Sequence, residues 1–253
     1  MMAEGMATDY NVVYALSAVV KDMLAGVRKV TTRRISVTSE AGTNLIVDTL
    51  PDLFPWVASE PVKRGSMTNF PDGEVFCHPF NVNGTAIVDG CVGDDLCAKY
   101  GDLSKTPVLF EIQNSFVVDI VCPGNRTLQQ ELREYVWNED GTRELLTRKI
   151  GEFALGTNIG LKEVIGKLLQ DEKLGNAVHF APGDPLAHAG TRAGYACKGH
   201  LDSLVIDPTV RVEGDVIMDK GKYTREVMER TLELLPQGYA LSSDGLSFVA
   251  PAA

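Results

Sequence analysis

Short segments of β-strand character, separated by glycine and aspartate turns, fill the middle of the chain and most narrow the folds it can adopt. In residues 76–121 they include Thr85–Val88, Val108–Ile112 and Ser115–Val121. Gln113-Asn114 predicts a hairpin turn between the last two segments. Strands so closely spaced along the chain pair with one another, so this region predicts a β-sheet.

Helices are predicted on both sides of this region. Apolar residues at helical spacing predict one helix from Asn11 to Lys29, and the apolar pattern ends at Gly26. The other predicted helices are Leu128–Trp137, Arg143–Lys149, Leu161–Leu169 and Thr224–Leu235. The other predicted strands are Arg34–Ser39, Leu45–Val47, Asn176–Ala181 and Leu201–Ile206. Strands predominate, so the sequence predicts an α+β fold, a mixed β-sheet core with inserted helices.

Charge and apolar pattern exclude several classes of partner. The formal net charge is -10. An acidic surface repels phosphate backbones and anionic lipids, so neither nucleic acid nor a membrane is an expected partner. No apolar run reaches the ~18 residues that span a bilayer, and the N-terminus lacks the basic region of a signal peptide. The five cysteines form no CxxC pair, which favours reduced thiols and a cytoplasmic protein.

The segment Gly199-His200-Leu201-Asp202-Ser203 is the strongest local indication of a metal site. On a strand, residues i and i+2 point to the same side. His200 and Asp202 would therefore present an imidazole and a carboxylate to one point, where they could chelate a divalent metal. The same spacing is common on exposed polar strand faces, so the local sequence leaves both interpretations open.

Two glutamates stand in similarly isolated positions. Glu152 lies among apolar residues and glycines, where a carboxylate is costly to bury unless it is paired or binds a cation. The alternative is a solvent-facing strand residue. A Pro-Asp-Gly turn places Glu74 at the start of a strand, with His78 four residues on along the same predicted face. His78 is interpreted as a residue behind the ligands or at the surface.

Residues 171–183 contain a further histidine. Asp171-Glu172 predicts a solvated helix end, and His179 is either a ligand or a hydrogen-bonded core histidine. Nucleotide-binding folds find no support, because the chain has neither a Gly-x-Gly-x-x-Gly after a strand nor a Gly-x-x-x-x-Gly-Lys loop. A serine hydrolase of the Gly-x-Ser-x-Gly type is excluded in the same way.

The order of these motifs is more specific than any one of them. An Asn-x-Pro-x-Gly-Glu-Val-Phe turn is followed by Gly-Glu-x-x-Leu-Gly-x-Asn, by an Asp-Glu-Lys segment that leads to a histidine, and by His-x-Asp. Upstream lies Gly42-Thr43-Asn44-Leu45, similar to a Gly-Thr-Asp-Leu segment. Over roughly Ile35 to Lys222, this series resembles the catalytic half of the aminopeptidase T (PepS-type) metallopeptidases.

The resemblance implies two adjacent metal ions bound by two glutamates, two histidines and an aspartate. Transferred to this sequence, the ligands are Glu74, Glu152, His179, His200 and Asp202. Two features of this sequence differ from those of the aminopeptidases. Their further N-terminal domain would be reduced here to one helix, which leaves the substrate class open. Their catalytic tyrosine follows the first histidine closely, whereas here the nearest downstream candidate is Tyr195.

Relatives of the same family include dihydroxypyridine ring-cleaving dioxygenases, which use one ferrous ion and molecular oxygen. The resemblance therefore implies first a metal-dependent hydrolase of an amide or N-terminal peptide bond, with metal-activated water and Glu74 or Glu152 as general base. The alternative is a mononuclear non-haem iron(II) dioxygenase that opens a hydroxylated aromatic or pyridine ring. A non-catalytic binding module is a third hypothesis, and the cost of unused buried carboxylates counts against it.

These hypotheses share one set of expectations. The cofactor is one or two divalent ions of zinc, cobalt or iron(II), and the substrate is a small molecule or short peptide. His78, His188 and Tyr195 are expected around the ligands or the substrate. Residues 1–32 form a tail and helix, and residues 33–253 the metal-binding catalytic domain. A homo-oligomer, most simply a dimer, would cover the apolar surface that a catalytic half leaves exposed.

Overall fold

The computed structural model describes residues 8–26, 32–65, 69–137, 145–186 and 192–251. The helices are α1 Tyr10–Ala25, α2 Asp94–Tyr100, α3 Arg126–Trp137, α4 Leu168–Asp171 and α5 Arg225–Leu234, and a 3₁₀ helix covers Leu145–Arg148. The strands are β1 Arg33–Thr38, β2 Asn44–Thr49, β3 Val57–Ala58, β4 Glu74–Cys77, β5 Asn81–Val88, β6 Val108–Gln113, β7 Phe116–Val121, β8 Ile150–Gly156, β9 Ala177–Pro182, β10 Ser203–Ile206, β11 Thr209–Val212, β12 Asp215–Asp219, β13 Lys222–Tyr223, β14 Ala240–Leu241 and β15 Phe248–Val249.

Two sheets form the body of the fold. The first has eight strands in the order β13-β12-β11-β1-β2-β5-β6-β7, and the second has five in the order β10-β9-β8-β4-β3. The pairs of neighbouring strands in both sheets are antiparallel. The predicted hairpin joins β6 to β7, but its turn residues are Asn114 and Ser115, one position later than the predicted Gln113-Asn114. Both have positive φ, as a tight hairpin turn requires.

The apolar core lies between the two sheets. Phe180 of β9 meets Phe110 of β6 edge to face, with ring centroids 5.4 Å apart. Helix α1 adds Leu16 and Leu24 to the same core. The second sheet contributes alternate residues of its strands, namely Val75, Cys77, Phe153, Leu155, Val178 and Phe180. Because side chains alternate along a strand, the residues between these point to the other face of the sheet.

The α+β prediction is confirmed, and most predicted elements lie within a few residues of their expected bounds. The helix expected over Asn11–Lys29 covers Tyr10–Ala25, and Gly26 follows it at φ 74, while residues 27–29 lie outside the described ranges. Its N-terminus is capped by Asp9, whose side chain accepts a hydrogen bond from the Asn11 N–H. No helix in the described ranges is long and apolar enough to cross a bilayer.

Three predicted elements differ. The helix Leu161–Leu169 is wrong, since α4 begins only at Leu168. The N–H groups of Ile165 and Lys167 bond to the carboxylate of Asp171 instead of to helical carbonyls, and this competing bond opens the segment into a loop. The helix predicted over 143–149 is a 3₁₀ turn over 145–148, and residues 143 and 144 lie outside the described ranges. The strand predicted over 201–206 begins two residues late.

Candidate metal centre

Three neighbouring strands of the second sheet bring Glu74, Glu152 and His179 to one face. The register places Glu74 of β4 opposite Gly156 of β8, and His179 of β9 opposite Ala154 of β8. Glu152 lies two residues before Ala154 and so shares its side of the sheet. All seven residues of β8 are buried, so Glu152 is not the solvent-facing strand residue of the alternative interpretation. This face is the one turned away from the apolar core.

His200 and Asp202 reach the same face from the edge of the sheet. Leu204 of β10 lies opposite His179, and Asp202 is two residues earlier. His200 precedes the strand, where a single bridge to Gly183 holds it. Gly183 has φ 118, and a side chain there would overlap the facing backbone carbonyl, so this close approach needs glycine. His200 and Asp202 point to the same side, as expected for residues i and i+2 of a strand, although both lie just outside β10.

The polar atoms of the five side chains converge. Nε2 of His179 lies 3.3 Å from Oε1 of Glu152 and 3.6 Å from Oε2 of Glu74. Oδ1 of Asp202 lies 3.9 Å from Nε2 of His179 and 3.2 Å from Nε2 of His200. Two ligand atoms that bind one ion at about 2.1 Å and at right angles are about 3 Å apart. The two shorter separations are close to that value, and the two longer ones, 3.6 and 3.9 Å, exceed it. The structure thus brings all five together, and their role as ligands stays a prediction.

The tautomer of His200 suits metal binding. Its Nδ1 lies 2.8 Å from the carbonyl oxygen of Asp184. A carbonyl only accepts hydrogen bonds, so Nδ1 carries a hydrogen, and Nε2 is the nitrogen that faces Asp202. Histidines that bind metals use the same support of the outer nitrogen.

The electrostatics of the cluster favour a cation. Burial opposes charge on both imidazoles, but the neighbouring carboxylates outweigh it and raise the pKa of His179 to about 9 and that of His200 to about 10. Burial, opposed by the hydrogen bond to His179, raises the pKa of Glu152. For Asp202 burial is outweighed by the hydrogen bond from His200, and its pKa is lowered. A divalent ion would supply the positive charge that these carboxylates attract, so this donor set fits one.

Asp171-Glu172 is not a solvated helix end, contrary to the sequence-based prediction. Asp171 is fully buried, and the side chain of the following lysine, Lys173, is 3% exposed. Nζ of Lys173 lies 2.5 Å from Oε1 of Glu74 and 2.6 Å from Oε1 of Glu172. Burial opposes its charge, but the two carboxylates raise the pKa of the ammonium. Burial raises the pKa of Glu172 to about 7. Sequence reasoning missed Lys173 as a residue of the site.

A family comparison places the chain. The family model described as NicX, 2,5-dihydroxypyridine 5,6-dioxygenase, matches residues 16–225. The chain belongs to this family. It is therefore a member of an enzyme family, and the match is to the dioxygenases that the sequence resemblance named as relatives rather than to aminopeptidase T itself. No curated protein matches the sequence.

Solved structures with a similar fold include both kinds of enzyme. A 2,5-dihydroxypyridine dioxygenase from Pseudomonas putida KT2440 shares 16% identity at a TM-score of 0.63, over 88% of this chain and 62% of that one. AmpT from Thermus thermophilus shares 19% identity at a TM-score of 0.57, over 88% of this chain and 54% of that one. At these identities the likeness is one of fold, and this member of the NicX family spans less than two thirds of either chain.

The remaining predicted residues lie around the cluster or outside the described ranges. His78 is buried, and its Nδ1 lies 2.7 Å from the carbonyl oxygen of Gly151, next to Glu152. It packs edge-on against Tyr195, whose hydroxyl donates to the carbonyl of Gly183 at 3.3 Å. His78 is thus behind the cluster and not at the surface. His188 lies outside the described residues.

A second group of potential ligands lies where α2 and α4 are in contact. Cys91, Cys97 and Asp171 are buried, with ligand atoms within 4.8 Å of one another. A hydrogen bond with Cys97, together with burial, raises the pKa of the Cys91 thiol, which disfavours the thiolate that a metal needs. The carboxylate of Asp171 already accepts the two N–H groups that shape the preceding loop. We interpret this group as structural. The described cysteines are free thiols.

A small cavity opens onto the cluster. Its volume is about 230 Å³, and Glu152, His200 and Asp202 line one side. The apolar part of the wall comes from Phe76, Leu168, Leu169 and Leu186, with Asn69 beside them. A cavity of about 150 Å³ is enough to hold benzene, so this one has room for a single substituted ring. Glu74, Asp94, Glu172 and Lys173 complete the lining, so charged as well as apolar side chains surround this space.

Proposed function

We propose that this protein is a mononuclear non-haem iron(II) dioxygenase that opens a hydroxylated pyridine or other hydroxylated aromatic ring. The observation that carries the proposal is the position of Asp202, whose Oδ1 lies 3.2 Å and 3.9 Å from the Nε2 atoms of His200 and His179. Two histidines and one carboxylate are the ligand set of non-haem iron(II) oxygenases, and Asp202 is the carboxylate within reach of both histidines. Membership of the NicX family supports the same chemistry.

The chain's own groups have separate tasks in this proposal. His179, His200 and Asp202 would hold the ion, which when bound supplies the redox chemistry that allows molecular oxygen to react with a ring. The hydrogen bond from His200 to the Asp184 carbonyl fixes the ring so that Nε2 faces the site. The apolar wall, with Phe76 and Leu168, would stack against the substrate ring and exclude water.

Glu152 is the group best suited to exchange a proton with a ring hydroxyl. Burial raises its pKa, so the carboxyl holds its proton at a higher pH than an ordinary glutamate. It lines the cavity beside His200 and Asp202. Glu74 is less suited to this task because one of its oxygens is paired with Lys173 at 2.5 Å. The sequence offered Glu74 or Glu152 as the general base of a hydrolase, and in the proposed dioxygenase Glu152 would be the group that exchanges a proton.

Metal exchange tests the proposed function. Protein stripped by a chelator is reloaded anaerobically with iron(II) or with zinc and then given 2,5-dihydroxypyridine in air. We expect iron(II) alone to restore substrate loss and oxygen uptake, because zinc has no redox chemistry. Equal activity with zinc, or substrate loss without oxygen uptake, would contradict the proposal.

One observation favours a second candidate, a two-ion hydrolase. The potential ligands form two groups of three that share Glu152, namely Glu74, Glu152 and His179, and Glu152, His200 and Asp202. Two ions bridged by a shared carboxylate could activate water for attack on an amide. The zinc-loaded protein, and protein loaded with cobalt in the same way, can be assayed with amino-acid anilides. Release of the aniline would support the two-ion hydrolase.

A further inference from the structure

Lys173 carries a positive charge into the interior, beside the candidate metal centre. Its side chain is 3% exposed, and its ammonium lies 2.5 Å from Glu74 and 2.6 Å from Glu172. The backbone around it is fixed, since its N–H donates to the carbonyl of Gln170 and its carbonyl accepts from the Asn158 N–H. A buried ammonium is costly unless it is paired with good geometry. The two carboxylates provide that pairing.

The contacts of Glu74 show that the Lys173 ammonium fills a position where a cation could bind. Oε1 of Glu74 is engaged by the lysine, and Oε2 lies 3.6 Å from Nε2 of His179. Glu74 therefore spans the distance between the ammonium and the cluster of ligands. Without the lysine, Glu74 and Glu172 would offer two carboxylates to a cation at the same point. In this chain that cation position is filled by a side chain.

We propose that the Lys173 ammonium takes the place of a second metal ion and so limits the site to one ion per chain. The inference rests on the proposed mononuclear function and adds the residue that enforces it. His179, His200 and Asp202 remain for the first ion, while the lysine holds one oxygen of Glu74, which the two-ion arrangement would need, and one oxygen of Glu172.

The charge balance of the buried cluster also assigns to Lys173 the role of a second cation. The carboxylates of Glu74, Glu152, Glu172 and Asp202 lie together in the interior, and one divalent ion with one ammonium nearly neutralises them. Removal of the ammonium leaves one further negative charge unbalanced, two in all. Uncompensated buried charge is strongly unfavourable. A second divalent ion would restore the balance, so a chain without this ammonium is expected to bind one.

Counting bound zinc tests the proposal. Chelator-treated wild type and three variants, Lys173→Met, Lys173→Arg and Lys162→Met, are brought to equilibrium with excess zinc by dialysis, and zinc per chain is measured. Lys162 is exposed and its ammonium donates to the backbone carbonyl of Ile159, so it is the matched control. We expect one ion in wild type, Lys173→Arg and Lys162→Met, and two in Lys173→Met. Two ions in wild type, or one in folded Lys173→Met, would overturn the proposal.

A spectroscopic signature separates this role from a structural one. Manganese-loaded Lys173→Met should show the electron paramagnetic resonance signal of a coupled pair, and manganese-loaded wild type that of a single ion. If Lys173→Met is unfolded without metal, zinc should restore its circular dichroism, since the second ion replaces the lost charge, and failure to do so would count against the proposal.

The proposed function and the proposed role of Lys173 can be contradicted independently of each other. A wild-type protein with one ion and no ring-opening activity would contradict the proposed function only. A wild-type protein that opens the ring but binds two ions would contradict the role of Lys173 only.

Discussion

Replacement of His200 by alanine is expected to abolish ring cleavage and to remove most of the bound iron. Nε2 of His200 lies 3.2 Å from Asp202, and its Nδ1 is held by the Asp184 carbonyl. The variant would therefore lose a proposed ligand and the hydrogen bond that orients it. We expect turnover to fall by more than the roughly 10–100-fold that follows loss of a group supporting a metal site from behind. Iron content by mass spectrometry and oxygen uptake measure the two effects.

His78→Ala is the matched control, because it removes an imidazole of the same size that is buried close by. His78 packs against Phe54 and Tyr195 and bonds to the backbone at Gly151. We expect it to keep its iron and to lose about 10–100-fold in activity. Full iron and full activity in folded His200→Ala would contradict the ligand assignment. Complete loss of iron in His78→Ala would move His78 into the ligand set.

Phe110→Ala is expected to cost about 3–5 kcal/mol of the free energy of unfolding, the range for a large buried aromatic. Phe110 is fully buried and its ring meets Phe180 at 5.4 Å, so it joins the first sheet to the strand that carries His179. Truncation leaves a cavity at this junction. Urea unfolding of metal-free protein measures the loss without the stabilisation that a bound ion would add.

Phe80→Ala serves as the control for that loss. Phe80 is 56% exposed, so its removal is expected to change the free energy of unfolding by no more than about 0.5 kcal/mol. A loss below about 1 kcal/mol in Phe110→Ala would show that the two sheets do not depend on this contact.

Local pattern was enough for most elements of the fold. Alternation and turn residues located β5–β7, and helical periodicity located α1, α3 and α5. The local pattern gave a wrong helix at Leu161–Leu169, where the apolar spacing is compatible with one. There the carboxylate of Asp171 takes the backbone N–H groups of Ile165 and Lys167. A hydrogen bond from a side chain to the backbone competes with a helix and leaves no periodic signal.

The division into two sheets could not be predicted from the sequence. β8 lies at the centre of the second sheet with every residue buried, so it shows no alternation of apolar and polar residues. Its neighbours β4 and β9 are far away in the sequence. Only the register of these strands puts Glu74, Glu152 and His179 on one face. Residue spacing within one strand carries no such information.

The candidate site was therefore predictable in part. The His200-x-Asp202 spacing and the isolation of Glu152 pointed to residues that the structure brings together. Lys173 was missed because a lysine after two acidic residues has the same local pattern as a solvated helix end. Its burial depends on Glu74, about a hundred positions earlier, which supplies the opposite charge. Pairing over that distance is a property of the fold.

Isotope labelling is the most direct test of the proposed dioxygenase. Iron-loaded protein is allowed to turn over 2,5-dihydroxypyridine under ¹⁸O₂ in ordinary water, and in a second reaction under ordinary oxygen in H₂¹⁸O, with the product examined by mass spectrometry within seconds. We predict that both atoms of one oxygen molecule enter the ring-opened product in the first reaction. Label that enters only from water, or turnover that continues without oxygen, would contradict the account.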